Sequence, residues 1–383
     1  MRKIAVVITA RPSYSRIKTA LLAIKRHPAL ELQLIVAASA LLDRYGSVIN
    51  TIEQDGFTVN ERVYMVLEGE NSTSMAKTTG LGLLELSTAF LNLQPDIVVT
   101  IADRYETIAT AIAGAFMNIP VAHIQGGEVT GSIDEKVRHA VTKLSDLHLV
   151  SCEQAANFVI RMGEDPLNVK TTGCPSIDIA REVKQDPCLD FDVFERYGGV
   201  GTIFNLNEPF LVVLQHPVTT ENELAHKHIT ETLEAVAEID IPALWFWPNV
   251  DAGSDGTSKG IRHFRECRSD ARFHFFKNME PRDFLNILLM SKMIVGNSSV
   301  AIRECSYLGV PAVNIGSRQN RRMRGKNVID VEHNRISIMD AIKCHLTSGS
   351  KPGECIYGDG FSGQRIADEL ANWELTFKKV LNY

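Results

Sequence analysis

The sequence predicts an α/β protein built from two Rossmann-like βαβ domains, each a parallel sheet covered by helices on both faces. Three observations point there. Short apolar runs alternate with helix-length segments along the whole chain, as βαβ units require. The alternation breaks once, at 185–207, where Asp, Gly and Asn gather around Pro187, and then restarts. Polar or glycine-bearing turns follow one apolar run after another, and parallel sheets bind ligands beyond the carboxyl ends of their strands. The expected division is 1–185 for a first domain and 186–362 for a second, with a cleft between them that closes over a ligand.

In the first half, strands are expected at Ile4–Ile8, Leu32–Ala37, Ile97–Ile101, Val121–Ile124 and Leu147–Val150, with a weaker one at Val63–Val66. Helices are expected at Tyr14–Arg26, Ala76–Leu93 and Glu106–Met117. The second half repeats the pattern with Leu211–Leu214, Ala243–Trp247, Phe273–Phe276, Met293–Val295, Ala312–Ile315 and Asn327–Val331, and a last helix is expected over roughly Gly363–Leu381.

A chain of 383 residues, 45% hydrophobic, is large enough for two cores. Its net charge of −6 and the lack of a long basic run argue against nucleic acid as a partner. Met-Arg-Lys runs straight into the first apolar strand, without the long apolar stretch of a signal peptide. No apolar run reaches membrane-spanning length, so a cytoplasmic location is expected and no membrane partner. Seven scattered cysteines without a CxxC pair read as reduced thiols. No HExxH or His/Cys spacing marks a metal, and Asp190 and Asp192 read as a solvated loop; no metal is predicted.

The most informative segment runs from His123 to Lys143. It leaves a strand, turns on Gly126 and Gly127, and enters a helix crowded with charge. Ser132 and Glu135 have capping-box spacing. Beyond them Ile133, Val137, Ala140, Val141, Leu144 and Leu147 form an apolar stripe, with Asp134, Arg138 and Thr142 on the opposite face. Asp103, Arg104 and Glu106 follow another strand. Together with Glu128, Asp134 and His123 they suggest a carboxylate-rich pocket, although each acid alone reads as a charge complementing a helix start. Arg11 and Arg16 place two guanidiniums in the first βα turn, where they read as anion contacts.

In the second half, Ser298 and Ser299 follow a strand and open a helix, where free N–H groups suit a pyrophosphate. Glu304 is placed to accept hydrogen bonds from a ribose diol; a plain helix cap and a surface Glu read equally well. His216 ends the first strand of this half. Asn249, Asp251 and Ser254 follow the next, and Arg318 follows the Ala312–Ile315 run.

These motifs resemble the hydrolysing UDP-N-acetylglucosamine 2-epimerases of sialic-acid and legionaminic-acid pathways. The likeness lies in GlyGlyGluValThrGly with IleAspGlu and ArgHisAlaValThrLys, in the Ser298-to-Glu304 loop, in HisPro…GluAsn from His216, and in ProAsn…AspAlaGlySer. The resemblance implies a GT-B-like fold, a last helix that packs back on the first domain, a homodimer, and a UDP-sugar substrate. It implies that Asp103 and Asp134 are catalytic, with Glu128 and His216 beside them. It places Arg11, Arg16, Asn249, Asp251, Ser254, Ser298, Ser299 and Glu304 on UDP, and Arg104, Gln125, Arg138 and Arg318 nearer the sugar.

The implied reaction breaks the glycosidic C–O bond first, which acidifies the C2–H; a carboxylate removes that proton to give a 2-acetamidoglycal and UDP. Water then adds, releasing N-acetylmannosamine, with no redox cofactor. One departure is Gln125, where several family members carry Glu. Glutamine is no base, so acid and base stay unassigned, and a 4-acetamido-6-deoxy sugar becomes an alternative substrate. Rival readings are a non-hydrolysing epimerase, whose pattern after the histidine is GluAlaGlyLeuArg, a glycosyltransferase, and a UDP-sugar sensor without chemistry.

Overall fold

Strands whose every residue is apolar have both faces to bury, and the computed structural model buries them in two parallel sheets. It describes residues 1–42, 48–68, 72–102, 104–129, 133–248, 254–268, 271–376 and 379–382, without the side chains of Ser72, Ile133, Asp134, Thr219, Thr220 and Ser254. Among the described residues no helix is long and apolar enough to cross a membrane. The chain divides into two units: Met1–Glu128, Ile133–Asp178 and Tyr357–Tyr383 form the first, Val129–Ser132 and Ile179–Ile356 the second.

The first unit runs β1 (Arg2–Ile8), α1 (Arg11–Arg26), β2 (Leu30–Ala37), α2 (Val48–Gln54), β3 (Val59–Val63), α3 (Ser72–Leu93), β4 (Ile97–Ile101) and α4 (Thr107–Phe116). It continues with β5 (Val121–Ile124), α5 (Ile133–Leu144), β6 (Leu147–Val150), α6 (Glu153–Arg161), β7 (Val169–Thr171) and α7 (Pro175–Gln185), whose later turns count with the second unit. Its sheet has the order β3-β2-β1-β4-β5-β6-β7, every pair parallel. The order reverses between β1 and β4, which makes their carboxyl ends the ligand-binding switch point. Along β1, Ile4, Val6 and Ile8 enter the core under α1, while Ala5 and Val7 enter the core on the other face.

In the second unit α8 (Val193–Tyr197) and β8 (Val200–Gly201) precede β9 (Leu211–Leu214), α9 (Ala225–Glu238), β10 (Ala243–Phe246), α10 (Ser254–Cys267), β11 (Phe273–Phe276) and α11 (Pro281–Met290). Then come β12 (Met293–Gly296), α12 (Glu304–Leu308), β13 (Ala312–Ile315), β14 (Val328–Val331) and α13 (Arg335–Ser348). The sheet order is β14-β13-β12-β9-β10-β11-β8, parallel except for the edge strand β8. Here the reversal falls between β9 and β12.

Several expectations are corrected. The weaker strand is Val59–Val63, not Val63–Val66, and Leu147 belongs to β6 rather than to the helix stripe. β7 and β8 were not foreseen: three and two residues carry too little pattern. The 185–207 stretch is partly ordered, with Asp192 capping α8 by accepting from the Phe194 and Glu195 N–H groups at 2.7 and 3.1 Å. The last helix, α14 (Ser362–Asn372), stops well short of Leu381.

α14 belongs to the first unit and lies on α1. Gly363 allows the approach, since a Cβ there would stand 2.7 Å from the Thr19 carbonyl. The Asp178 carboxylate caps the helix by accepting from the Ser362 and Gly363 N–H groups at 2.8 and 2.7 Å. Beyond it, Lys379 reaches the buried Glu164, which also accepts from Lys143 and His148 at 2.5 and 2.9 Å. Burial alone raises the Glu164 pKa, but the hydrogen bonds from His148, Lys143 and Lys379 outweigh it and bring the group from 4.5 to about 2. Burial keeps His148 neutral by lowering its own pKa.

A carboxylate depressed in this way stabilises the folded state fully above its ordinary 4.5, and that stability is lost as pH falls towards about 2. Urea unfolding of Glu164→Gln should therefore fall short of wild type by at most about 3 kcal/mol at pH 7. The gap should narrow between about pH 5 and pH 3; a gap that stays constant with pH would refute the charge network as its source.

Candidate active site

Three strands of the first unit end in strained backbone. Ala38 after β2, Ala102 after β4 and Gln125 after β5 all have left-handed φ, at 52°, 61° and 63°. Gly127 completes the turn after β5 with φ 74°, where a Cβ would meet the Ala155 carbonyl oxygen at 2.3 Å. His123 holds this region together. It is wholly buried, its Nε2 lies 2.9 Å from the Ala102 carbonyl and its Nδ1 lies 3.2 Å from Thr142 Oγ1 on α5. With Nε2–H donating to Ala102, Nδ1 accepts from the threonine hydroxyl. His123 is thus a pin between a strand end and a helix, and not a member of the acidic pocket expected from the sequence.

Glu128 is buried, and its Oε1 accepts from Ser151 Oγ at 2.8 Å. Arg138 Nη1 donates to the Glu128 carbonyl at 2.6 Å. Arg138 and Thr142, expected on the face opposite the apolar stripe, are 1% and 0% exposed, so that face too is buried at these two positions. Hydrogen bonds to the turn and to His123 offset their burial. Gln125 is also buried, with Nε2 3.0 Å from Cys174 Sγ. Arg104 grips the buried Glu106 through Nε and Nη2 at 3.2 and 3.1 Å. Arg11 is the first residue of α1. Arg16 sits more than a turn further along the helix, so only Arg11 lies in the βα turn itself. Asp103 and Ser132 lie outside the described residues. Asp134 is the second residue of α5, and its side chain lies outside them as well.

In the second unit the switch point is closed by Asn297, a residue that sequence reasoning passed over. Its Oδ1 accepts from the His216 N–H at 2.7 Å and its Nδ2 donates to the His216 carbonyl at 2.8 Å, so one amide extends the ladder from β9 to β12. The Asn297 carbonyl in turn accepts from Arg318 Nη1 and Gln319 Nε2 at 3.2 and 2.8 Å. Gly296 permits the strands to meet here: a Cβ would lie 2.2 Å from the Leu214 carbonyl oxygen. The sequence signal available was the pairing of two strand ends with an Asn and a His.

Ser298 caps a single 3-10 turn, Ser299–Ala301, and only then does the five-residue α12 begin at Glu304. The helix expected to open at the serines thus begins only at Glu304 and is short, so the macrodipole contributes little at the serines. The turn's own bonds start with the Ala301 N–H donating to the Ser298 carbonyl, which leaves the Ser298 and Ser299 N–H groups ahead of that ladder. Glu304 is buried, and its Oε2 has no hydrogen-bond partner among the described residues. Burial, with the Arg318 guanidinium adding to it, pushes His216 well below the usual imidazole range, so its ring is neutral. Arg322 Nε donates to the Val129 carbonyl at 3.1 Å. Asn249 and Asp251 lie outside the described residues, as does the side chain of Ser254, the first residue of α10. Among the described residues one metal-ligand set emerges, Glu221, His228 and His333, from positions too scattered for any spacing motif.

Asn297→Ala should strand the buried N–H and C=O of His216. A loss of roughly 2–4 kcal/mol is expected in urea unfolding of the second unit. A change under about 0.5 kcal/mol would mean that the amide is not what joins the two strand ends.

Residues 22–371 match the protein-family model described as UDP-N-acetylglucosamine 2-epimerase. The chain is 32% identical to the UDP-N,N'-diacetylbacillosamine 2-epimerase (hydrolyzing) of Legionella pneumophila, over 100% of this chain and 98% of that one. It is 29% identical to the UDP-N-acetylglucosamine 2-epimerase of Neisseria meningitidis, over 99% and 98%. Among solved structures, the UDP-GlcNAc 2-epimerase of Methanocaldococcus jannaschii in complex with UDP-GlcNAc and UDP shares the fold, with a TM-score of 0.79 at 19% identity over 96% and 99% of the two chains. The N. meningitidis UDP-GlcNAc 2-epimerase bound to UDP-GlcNAc gives 0.78 at 16% identity, over 96% and 99%.

Proposed function

This chain belongs to the UDP-N-acetylglucosamine 2-epimerase family, in its hydrolysing branch, and we propose that it converts UDP-N-acetylglucosamine and water to N-acetylmannosamine and UDP. The observation that carries this reading is the switch point of the second unit. There two serine N–H groups, a neutral His216, Arg318 and a buried Glu304, one of whose carboxyl oxygens has no partner among the described residues, collect at adjoining strand ends. That set suits a diphosphate and a ribose diol. Asn249, Asp251 and Ser254 are assigned to UDP, and Arg11 and Arg16 to its anionic groups.

Cleavage of the C1–O bond sends its electron pair to the departing UDP and leaves C1 oxocarbenium-like. The cationic and N–H groups stabilise the diphosphate as that charge develops. The C2 proton passes to a carboxylate, with Asp103, Asp134 and Glu128 the candidates, and a 2-acetamidoglycal results. Water then gives its hydroxyl to C1 and its remaining proton to a carboxylate, while a protein acid delivers a proton to the other face of C2. Arg138 acts by holding the Glu128 turn, and Arg104 and Gln125 stand near the sugar.

A second substrate has its own support. Gln125 stands where several members of the family carry Glu, and a 32% identical relative carries the name of a UDP-N,N'-diacetylbacillosamine 2-epimerase. Each UDP-sugar is to be incubated in D₂O and followed by NMR. Free UDP with a C2-deuterated free 2-epimer is expected, and the faster sugar identifies the substrate. A UDP-linked epimer, or no turnover on either sugar, would overturn the reading. Asp103→Asn and Asp134→Asn should each keep UDP binding while kcat falls by about 10²-fold or more; near-wild-type rates in both would remove them from the mechanism.

A homodimer belongs to the same proposal. Leu84 and Leu91 of α3 are 67% and 66% exposed and seven residues apart, hence on one stripe of the helix. Leu84→Glu combined with Leu91→Glu should sediment as a monomer where wild type sediments as a dimer; a monomeric wild type at micromolar concentration would exclude this.

A further inference from the structure

The second unit holds a cluster of ligand-type side chains that the proposed reaction does not use. Glu221 lies in the 3-10 segment Thr219–Leu224, His228 in the first turn of α9, and His333 between β14 and α13. Their donor atoms all lie within 4.8 Å of one another. The two imidazoles stack face to face, with centroids 3.6 Å apart and planes 1° from parallel.

The cluster's polar atoms are poorly used within the protein. Neither ring nitrogen of His333 has a hydrogen-bond partner among the described residues, although both are buried. His228 Nδ1 stands 3.9 Å from Glu221 Oε2, too far for a hydrogen bond. The other Glu221 oxygen accepts from Ser317 Oγ at 2.6 Å. Room for the His333 ring comes from Gly316, where a Cβ would lie 2.1 Å from Nε2. Burial brings the His333 imidazole down to about 4, with His228 adding to the effect, so near neutral pH the ring offers a lone pair. Buried imidazole nitrogens without partners are costly, and a cation that both rings can ligate removes that cost.

We propose that Glu221, His228 and His333 bind one divalent transition cation of the zinc type. Two imidazole nitrogens and one carboxylate oxygen suit zinc, cobalt or nickel rather than magnesium or calcium. Metal–ligand bonds of about 2.0–2.2 Å put tetrahedral donor atoms roughly 3.3 Å apart. Binding therefore draws the three side chains inward, and one ring turns about its Cβ–Cγ bond so that both lone pairs converge. A fourth position remains for water. The cation ties the Glu221 segment to the loop after β14, and through Ser317 to the loop whose Arg318 and Gln319 hold the Asn297 carbonyl.

The full chain, freed of metal with EDTA and dialysed, is to be titrated with ZnCl₂ by calorimetry and with CoCl₂ by visible absorption. One equivalent per chain, a tetrahedral or five-coordinate cobalt spectrum and a raised melting temperature are expected. Glu221→Gln, His228→Gln and His333→Gln should each weaken zinc roughly tenfold or more. Circular dichroism without metal should remain as in wild type, and a variant that fails this check is set aside in favour of the other two. His263→Gln, which removes the exposed partner of Cys267, should leave the stoichiometry and affinity unchanged. Zinc affinity unaltered in the folded cluster variants, or no saturable site below about 100 µM, would overturn the assignment.

Discussion

Where the strands of a doubly covered parallel sheet stop, backbone N–H and C=O groups lose their ladder partners and, where side chains bury them, need new ones. That is the constraint on which the candidate site depends. Each unit meets it with one buried polar side chain. Asn297 copies a peptide group and joins β9 to β12 beyond the last regular pair, Leu214 opposite Gly296. His123 reaches from β5 to the Ala102 carbonyl after β4 and is held on its other nitrogen by Thr142. His216, Ser298 and Ser299 therefore leave the sheet of the second unit from fixed points.

The same constraint explains why α5 is polar on the side it buries. An apolar helix face packed over the strand-end turn would take away the bond that Arg138 donates to the Glu128 carbonyl. Charge is distributed with similar economy in the second unit, where burial keeps His216 neutral beside Arg318. Two adjacent cations without a bound anion would repel one another in a low-dielectric setting. A neutral imidazole leaves the Arg318 charge available while adding a polar group that tolerates an empty site.

How far all this was legible in the sequence depended on the kind of signal. Leu211–Leu214, Phe273–Phe276 and Ala312–Ile315 were readable to the residue because a fully buried strand is an unbroken apolar run bounded by polar turns. β7 and β8 were not, since edge strands of two or three residues have no run to read. Helical periodicity placed Val141 correctly on a buried face and set Arg138 and Thr142 opposite it, but it could not show that they too are buried, because periodicity weighs polarity and ignores partners. Asn297 stood between two residues already singled out as strand end and phosphate turn. Its role required knowing that β9 and β12 are neighbours, a fact of topology that local sequence does not carry. For the same reason the convergence of Glu221, His228 and His333 became visible only in three dimensions.

Position 125 is where sequence and structure bear on each other most directly. A glutamine cannot take a proton, and its left-handed backbone and amide contact with Cys174 fix it as a buried spacer in the β5 turn. Had a carboxylate stood there, burial would have raised its pKa towards the range useful for a general base. With Gln125 that option is gone, and Glu128 sits three residues on in the same turn. The Ser151 hydroxyl, directly after β6, donates to its Oε1 at 2.8 Å and ties that side chain to the neighbouring strand end.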